Sequence, residues 1–152
     1  MAESGDRAGQ RDHGWFFRCD FWLPCLTRQP GSRWLSQGGY EAISRQLFRN
    51  LKAQRLLLEY DDARSGSFDP LRDVPEDKFV VLGLITTKQP QLESIDSLRR
   101  RITEASRYVP LERLGLSPQC GFGSSIIGNR ISPEDQRRKL ELVVRTAETV
   151  WG

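Results

Sequence analysis

Three short, unbroken apolar runs constrain this chain more than any other feature: "RLLLEY" at 55–60, "FVVLGLIT" at 79–86 and "LGLS" at 114–117. Each is bounded by polar turn residues and reads as a buried strand. Amphipathic segments surround them. "YEAISRQLFRNL" puts Tyr40, Ile43, Leu47, Phe48 and Leu51 on one helical face. Ser94 is a cap candidate for a helix whose face carries Ile95, Leu98, Ile102 and Ala105. The last helix has the clearest start: Ser132 as N-cap, Pro133 at the first position, and Glu134 and Asp135 complementing the dipole. Its expected apolar face is Leu140, Val143, Val144, Ala147 and Trp151. Apolar strands alternating with such helices predict an α/β fold with a parallel sheet built from right-handed βαβ units.

Two regions stand outside the alternation. "DDARSGSFDPLRDVPEDK", between the first two runs, predicts a polar, turn-rich loop. Residues 1–38 hold three of the four tryptophans and follow neither period. The chain is long enough for one ordinary domain, at 152 residues. Its net charge of +3, with signs mixed, argues against the clustered basic face of a nucleic-acid binder. No run approaches the roughly 18 apolar residues that a membrane span needs. "MAESGDRAGQRDHGW" lacks an apolar stretch of the kind a signal peptide carries. Three cysteines, Cys19, Cys25 and Cys120, do not describe a disulfide scaffold, so the expected location is the reducing cytoplasm.

Chemistry is expected beyond the carboxyl ends of the strands. Glu59 ends the first run, Thr86, Thr87 and Lys88 end the second, and Cys120 follows the third. A thiolate and a carboxylate brought together there suit zinc, although two ligands alone do not hold it well. The residues leave other readings open. Cys120 could be a small packing residue. Glu59 could cap a following helix or pair with Arg64, and Lys88 reads most simply as a solvated loop charge. "GFGSSIIGNR" has three glycines without a phosphate-loop spacing, and "SGSFD" reads as an ordinary loop.

"LLLEYDDARSGSFDPLR", "VVLGLITTK" and "YVPLERLGLSPQCGFGSS" closely resemble the C-terminal catalytic domain of cobalamin-independent methionine synthases and their shorter homologues. The resemblance runs from about Trp34 to Trp151. It implies a partial (β/α)8 barrel made of the last three or so βα units, spanning 34–152 after an irregular segment 1–33. It implies a zinc-dependent methyltransferase that moves a methyl group from a folate-type donor to the thiol of homocysteine or a relative. In the family, zinc is held by a His-x-Cys pair, a glutamate and a late cysteine. The glutamate falls on Glu59 and the late cysteine on Cys120. Related zinc-dependent thiol alkyltransferases, such as epoxyalkane:coenzyme M transferases, and a non-catalytic α/β interaction module are the alternatives.

The match fails in three places. The family's His-x-Cys pair lies in a motif reading His-Val-Cys-Arg-Gly-Asn, ahead of a tryptophan and Gly-Gly-Tyr. Trp34, Gly38, Gly39 and Tyr40 are present, but the expected place reads Pro24, Cys25, Leu26, Thr27, Arg28, Gln29. Codons exist for this stretch that, read one base later, give His-Val, a TGA codon and Arg-Gly-Asn. Residues up to about Pro30 are therefore expected to be out of frame, with TGA a stop or a selenocysteine codon. Second, full synthases carry a histidine after the second run, where this chain has Thr86, Thr87 and Lys88. Third, a complete barrel takes about 250 residues. The expectation is a C-terminal fragment, poorly stable and inactive alone.

Overall fold

The computed structural model describes Tyr40, residues 43–123 and residues 131–152. The expected out-of-frame segment, with His13, Cys19 and Cys25, lies outside the described residues.

Strands β1 (Arg55–Glu59), β2 (Phe79–Ile85) and β3 (Leu114–Pro118) form a parallel sheet in the order β1-β2-β3. The apolar runs therefore become the strands expected of them, to within a residue or two at each end. Helix α1 (Ser44–Asn50) precedes β1, α2 (Ile95–Ala105) joins β2 to β3, and α3 (Pro133–Trp151) follows β3. Strand order without reversal has a consequence. Right-handed crossovers between successive neighbours return on the same side, so the helices gather on one face. Burial follows that rule. Leu56, Leu58, Val80, Leu82, Leu84 and Leu114 are buried in one core with Phe48, Leu98, Ile102 and Leu142. On the opposite face Leu57 is 42% exposed, and Val81, Gly115 and Ser117 are only partly covered.

The stretch 61–78 is more than a loop. It holds two short 3-10 helices, Ala63–Ser65 and Asp69–Asp73, and buries Phe68, Leu71 and Val74. Phe68 lies in the middle of "SGSFD", so that segment is an anchor and not a surface turn. Its ring packs at a tilt of 52° with its centroid 4.6 Å from that of Tyr60, whose own centroid lies 5.5 Å from that of Tyr40. Apolar content, rather than a period, drives this packing, and irregular backbone shows no period to read.

Both expected caps form. The Ser94 hydroxyl accepts from the Ser97 amide at 3.1 Å, and Ser132 with Asp135 makes a reciprocal capping box. The face expected of α3 is met in part: Val143 and Trp151 pack against the core, but the buried stripe is rotated. Leu140 and Val144 are exposed, while Lys139, Leu142 and Thr146 are buried. The cause is polar. The Lys139 ammonium donates to the Gln91 carbonyl at 2.6 Å and to Glu93 Oε2 at 3.2 Å, which turns that side of the helix inward. The Trp151 indole also donates to the Leu111 carbonyl at 3.0 Å.

Candidate functional site

Glu59 closes β1. In register it faces Gly83 of β2, which faces Ser117 of β3. Alternation along β1 puts Glu59 on the side of Leu57, away from the helices. Its backbone amide donates to the Tyr40 hydroxyl at 3.1 Å, so the phenol braces the end of the strand. Tyr40 is itself buried against Phe48 and Tyr60.

Cys120 is placed by the way β3 leaves the sheet. The register slips between Gly83 and Ile85, and the Gln119 amide then donates to the Ile85 carbonyl at 2.8 Å. Gly83 makes this crossing feasible. A Cβ there would stand 2.9 Å from the Gln119 Cα and 3.2 Å from the Leu58 carbonyl oxygen. The chain thus stays against β2 for two residues beyond β3, and Cys120 comes beside Thr87. The Cys120 Sγ lies 3.2 Å from the Thr87 hydroxyl and accepts from the Gln119 side-chain amide at 3.1 Å.

Lys88 is not a solvated loop charge. Its ammonium lies 3.1 Å from Asp61 Oδ2 and 3.8 Å from Asp62 Oδ2, with only 16% of its side chain and 3% of that of Asp61 exposed. The pair ties the exit of β2 to the exit of β1. Glu93 performs a similar task from the far side of β2, accepting from the Thr86 amide at 2.8 Å. Of the alternatives for Glu59, a pairing with Arg64 involves a side chain outside the described residues.

The structure therefore brings Glu59, Thr87, Lys88 and Cys120 to one end of the sheet. Glu59 and Cys120 stand on strands two places apart, a lateral backbone separation of roughly 10 Å. Their oxygen and sulfur are both zinc-ligand types, so the donors fit that ion as half a ligand set. Among the described residues no group of three His, Cys, Asp or Glu side chains gathers closely enough to hold a metal. Sequence reasoning missed Gln119 and the bracing role of Tyr40. The glycine inside the second apolar run was the available signal for the close crossing at β3.

Comparison with known proteins decides what this end of the sheet belongs to. Residues 41–148 match the model of the cobalamin-independent synthase catalytic domain. The chain belongs to that family. Two uncharacterized proteins of Bacillus subtilis strain 168, YxjG and YxjH, are similar to it, at 51% and 49% identity over 121 residues. Those matches cover 79% of this chain and 32% of either relative, so the chain spans about a third of the length of its curated relatives. Among solved structures, a Listeria monocytogenes protein provisionally named a vitamin-B12 independent methionine synthase shares 36% identity, with a TM-score of 0.56 over 76% of this chain and 33% of its own. A B12-independent methionine synthase from Shewanella sp., solved in complex with selenomethionine, has a TM-score of 0.60 at 21% identity, over 73% of this chain and 30% of its own. The second likeness is one of fold. Methyl transfer and methionine biosynthesis are the chemistry of the family, and the α/β sheet is its architecture. Among the described residues no helix is long and apolar enough to cross a membrane.

Proposed function

We propose that this chain is the C-terminal part of a zinc-dependent, cobalamin-independent thiol methyltransferase, and that Glu59 and Cys120 are two of its zinc ligands. One observation carries the reading: in a chain of this family, a carboxylate and a thiol emerge at the same end of one parallel sheet. Zinc at that end supplies a Lewis acid that lowers the pKa of a substrate thiol, so that its thiolate can attack a methyl donor. The chain's own residues provide the frame. Tyr40 fixes the backbone at Glu59, Gln119 and Thr87 fix the sulfur of Cys120, and the Lys88–Asp61 pair fixes the loops between them.

The larger architecture in this proposal is a (β/α)8 barrel, of which the three described strands are consecutive staves. Two observations support it. The described helices share one core on one face of a sheet with sequential strand order, and the open face and the outer side of α3 leave Leu57, Leu140 and Val144 exposed where neighbouring units would cover them. The thiol acceptor is homocysteine or a relative, the methyl donor is of the folate type, and the compartment is the cytoplasm. Without its His-x-Cys pair the isolated chain binds zinc weakly and does not turn over. Reading the gene tests the source of that loss: the frame one base later must give His-Val before TGA and Arg-Gly-Asn after it.

The deciding experiment restores the upstream barrel with His-Val-Cys in place of Pro24, Cys25 and Leu26. In that protein Cys120→Ser loses most of the bound metal, because a neutral hydroxyl replaces a charged thiolate. Glu59→Gln weakens binding less, since an amide oxygen still fits but donates poorly. Retention of full zinc and full thiol alkylation by Cys120→Ser sinks the assignment. A second reading, transfer of a different alkyl group to a thiol, draws support from the end of β2. Thr86, Thr87 and an ion-paired Lys88 stand where full synthases resembling this chain place a histidine.

A further inference from the structure

We infer that Thr87 and Gln119 are positioning residues for Cys120, which together hold its sulfur at the strand mouth through two hydrogen bonds. The inference rests on Cys120 being a metal ligand and names the groups that orient it.

Three observations converge. Thr87 is fully buried, and among the described residues the partner of its hydroxyl is the Cys120 sulfur at 3.2 Å. Gln119 is 9% exposed and turns its amide nitrogen to the same sulfur at 3.1 Å. Its amide oxygen is buried and has no hydrogen-bond partner among the described residues. The NH2 end of the amide is turned to the sulfur, and the Thr87 hydroxyl, which can donate or accept, lies within hydrogen-bond reach of the same atom. The sulfur also lies 3.5 Å from the Gly121 carbonyl oxygen.

A packing cysteine has no use for this arrangement. It behaves as a small apolar group, and two buried polar groups aimed at it would be costly. A sulfur that surrenders its proton to solvent when a metal binds accepts from both groups. They fix its direction and spread its charge, as outer partners of metal ligands commonly do. The backbone is shaped for the same end. The close crossing at Gly83 and the bond from the Gln119 amide to the Ile85 carbonyl bring both groups to one atom.

The test uses the full chain with Cys19→Ser and Cys25→Ser, so that Cys120 is its sole thiol. The probe is cadmium, a thiolate-seeking ion that reports even a one-sulfur site. Calorimetry gives the affinity, and the ultraviolet sulfur-to-cadmium charge-transfer band reports the bond. We expect one cadmium per chain with that band. Thr87→Val and Gln119→Leu should each weaken binding by about 10–100-fold, and Thr87→Ser should restore it. Thermal unfolding without metal should stay within a few degrees of the parent, which separates positioning from folding. If Thr87→Val fails to fold, Gln119→Leu and Thr87→Ser decide the matter. Undiminished affinity in the folded variants, or cadmium bound without the sulfur band, overturns the inference. A restored barrel that alkylates no thiol would sink the methyl-transfer reading, while the cadmium result would leave the positioning of Cys120 standing.

Discussion

The two ends of the sheet use buried polar groups in different ways. At the amino end, every polar contact of the two principal cations among the described residues goes to main-chain carbonyls. The Lys78 ammonium donates to Leu51 and Ala53 at 2.7 and 2.8 Å. One nitrogen of Arg113 donates to Pro75, Glu76 and Lys78, each at 3.1 Å. These bonds stitch the loop ahead of β2 to the entries of β1 and β3. At the carboxyl end contacts between side chains join the main-chain ones: Lys88 to Asp61, Thr87 and Gln119 to Cys120, and Lys139 to Glu93 as well as to the Gln91 carbonyl. A buried amide oxygen is left over there. One end satisfies the backbone alone, and the other also ties side chain to side chain around Cys120. That division is the one expected where chemistry is confined to the carboxyl ends of parallel strands.

A crossed pair of substitutions tests this division with the largest effects. In the restored barrel, Cys120→Ser should lower zinc affinity by more than about 100-fold, exceeding the loss typical of an outer partner. It should barely move the unfolding midpoint of the metal-free protein. Lys78→Met should do the reverse. Lys78 is 5% exposed, and losing its ammonium leaves two carbonyls without their donor. At roughly 1–3 kcal/mol for each unsatisfied group, the expected loss is about 3 kcal/mol, read by denaturant titration. Metal affinity of the folded fraction should not change. Similar effects of both substitutions on both readouts would erase the distinction between the ends.

Gly83→Ala acts where stability and site meet. The added methyl would press on the backbone of Gln119 at 2.9 Å, and backbone yields less readily than a side-chain tip. Overpacking of this kind typically costs about 1–3 kcal/mol. It should also move Cys120 away from Thr87 and weaken cadmium binding in the single-thiol chain. A stable variant with full cadmium affinity would show that the exit of β3 tolerates another path.

Much of this fold was legible because its signals are local. The three strands follow from uninterrupted apolar runs, and Ser94 and Ser132 announce their helices by capping chemistry. The rotation of α3 was not legible. The apolar residues predicted one face, and a buried Lys139 with partners 46 and 48 residues away chose another. Phe68 was hidden for the opposite reason, as an apolar anchor inside a polar, irregular stretch. Residue type and position marked Glu59 and Cys120 as strand-end groups, and the family resemblance supplied their proposed role as zinc ligands. Gln119 was not marked in this way, because its role depends on a register slip and a close crossing that arise only once β2 and β3 pair.

The smallest effect provides the control. Ser132 and Asp135 cap α3 just after the described part of the carboxyl-end loop, close in sequence to Cys120 but with no contact to it among the described residues. Ser132→Ala should cost about 1 kcal/mol, the usual loss for such a cap. The cost should depend on pH with a definite sign. The hydroxyl of Ser132, and after it the guanidinium of Arg138, hold the Asp135 carboxyl below its ordinary value of 3.8. A carboxyl depressed in the folded state stabilises fully above its unfolded value and loses that contribution as pH falls through the folded one. The difference between parent and Ser132→Ala should therefore be constant from neutral pH down to about 5, then shrink below 3.8 as Asp135 takes up its proton. It should not vanish, since the Ser132 hydroxyl still accepts from the Asp135 amide at 3.1 Å. Denaturant titrations at neutral pH and near pH 3 measure both values. At neutral pH, cadmium affinity at Cys120 should be the same in Ser132→Ala as in the parent. A fall in that affinity would mean that the start of α3 belongs to the site, and that the carboxyl end is one cooperative unit in which capping and ligation cannot be separated.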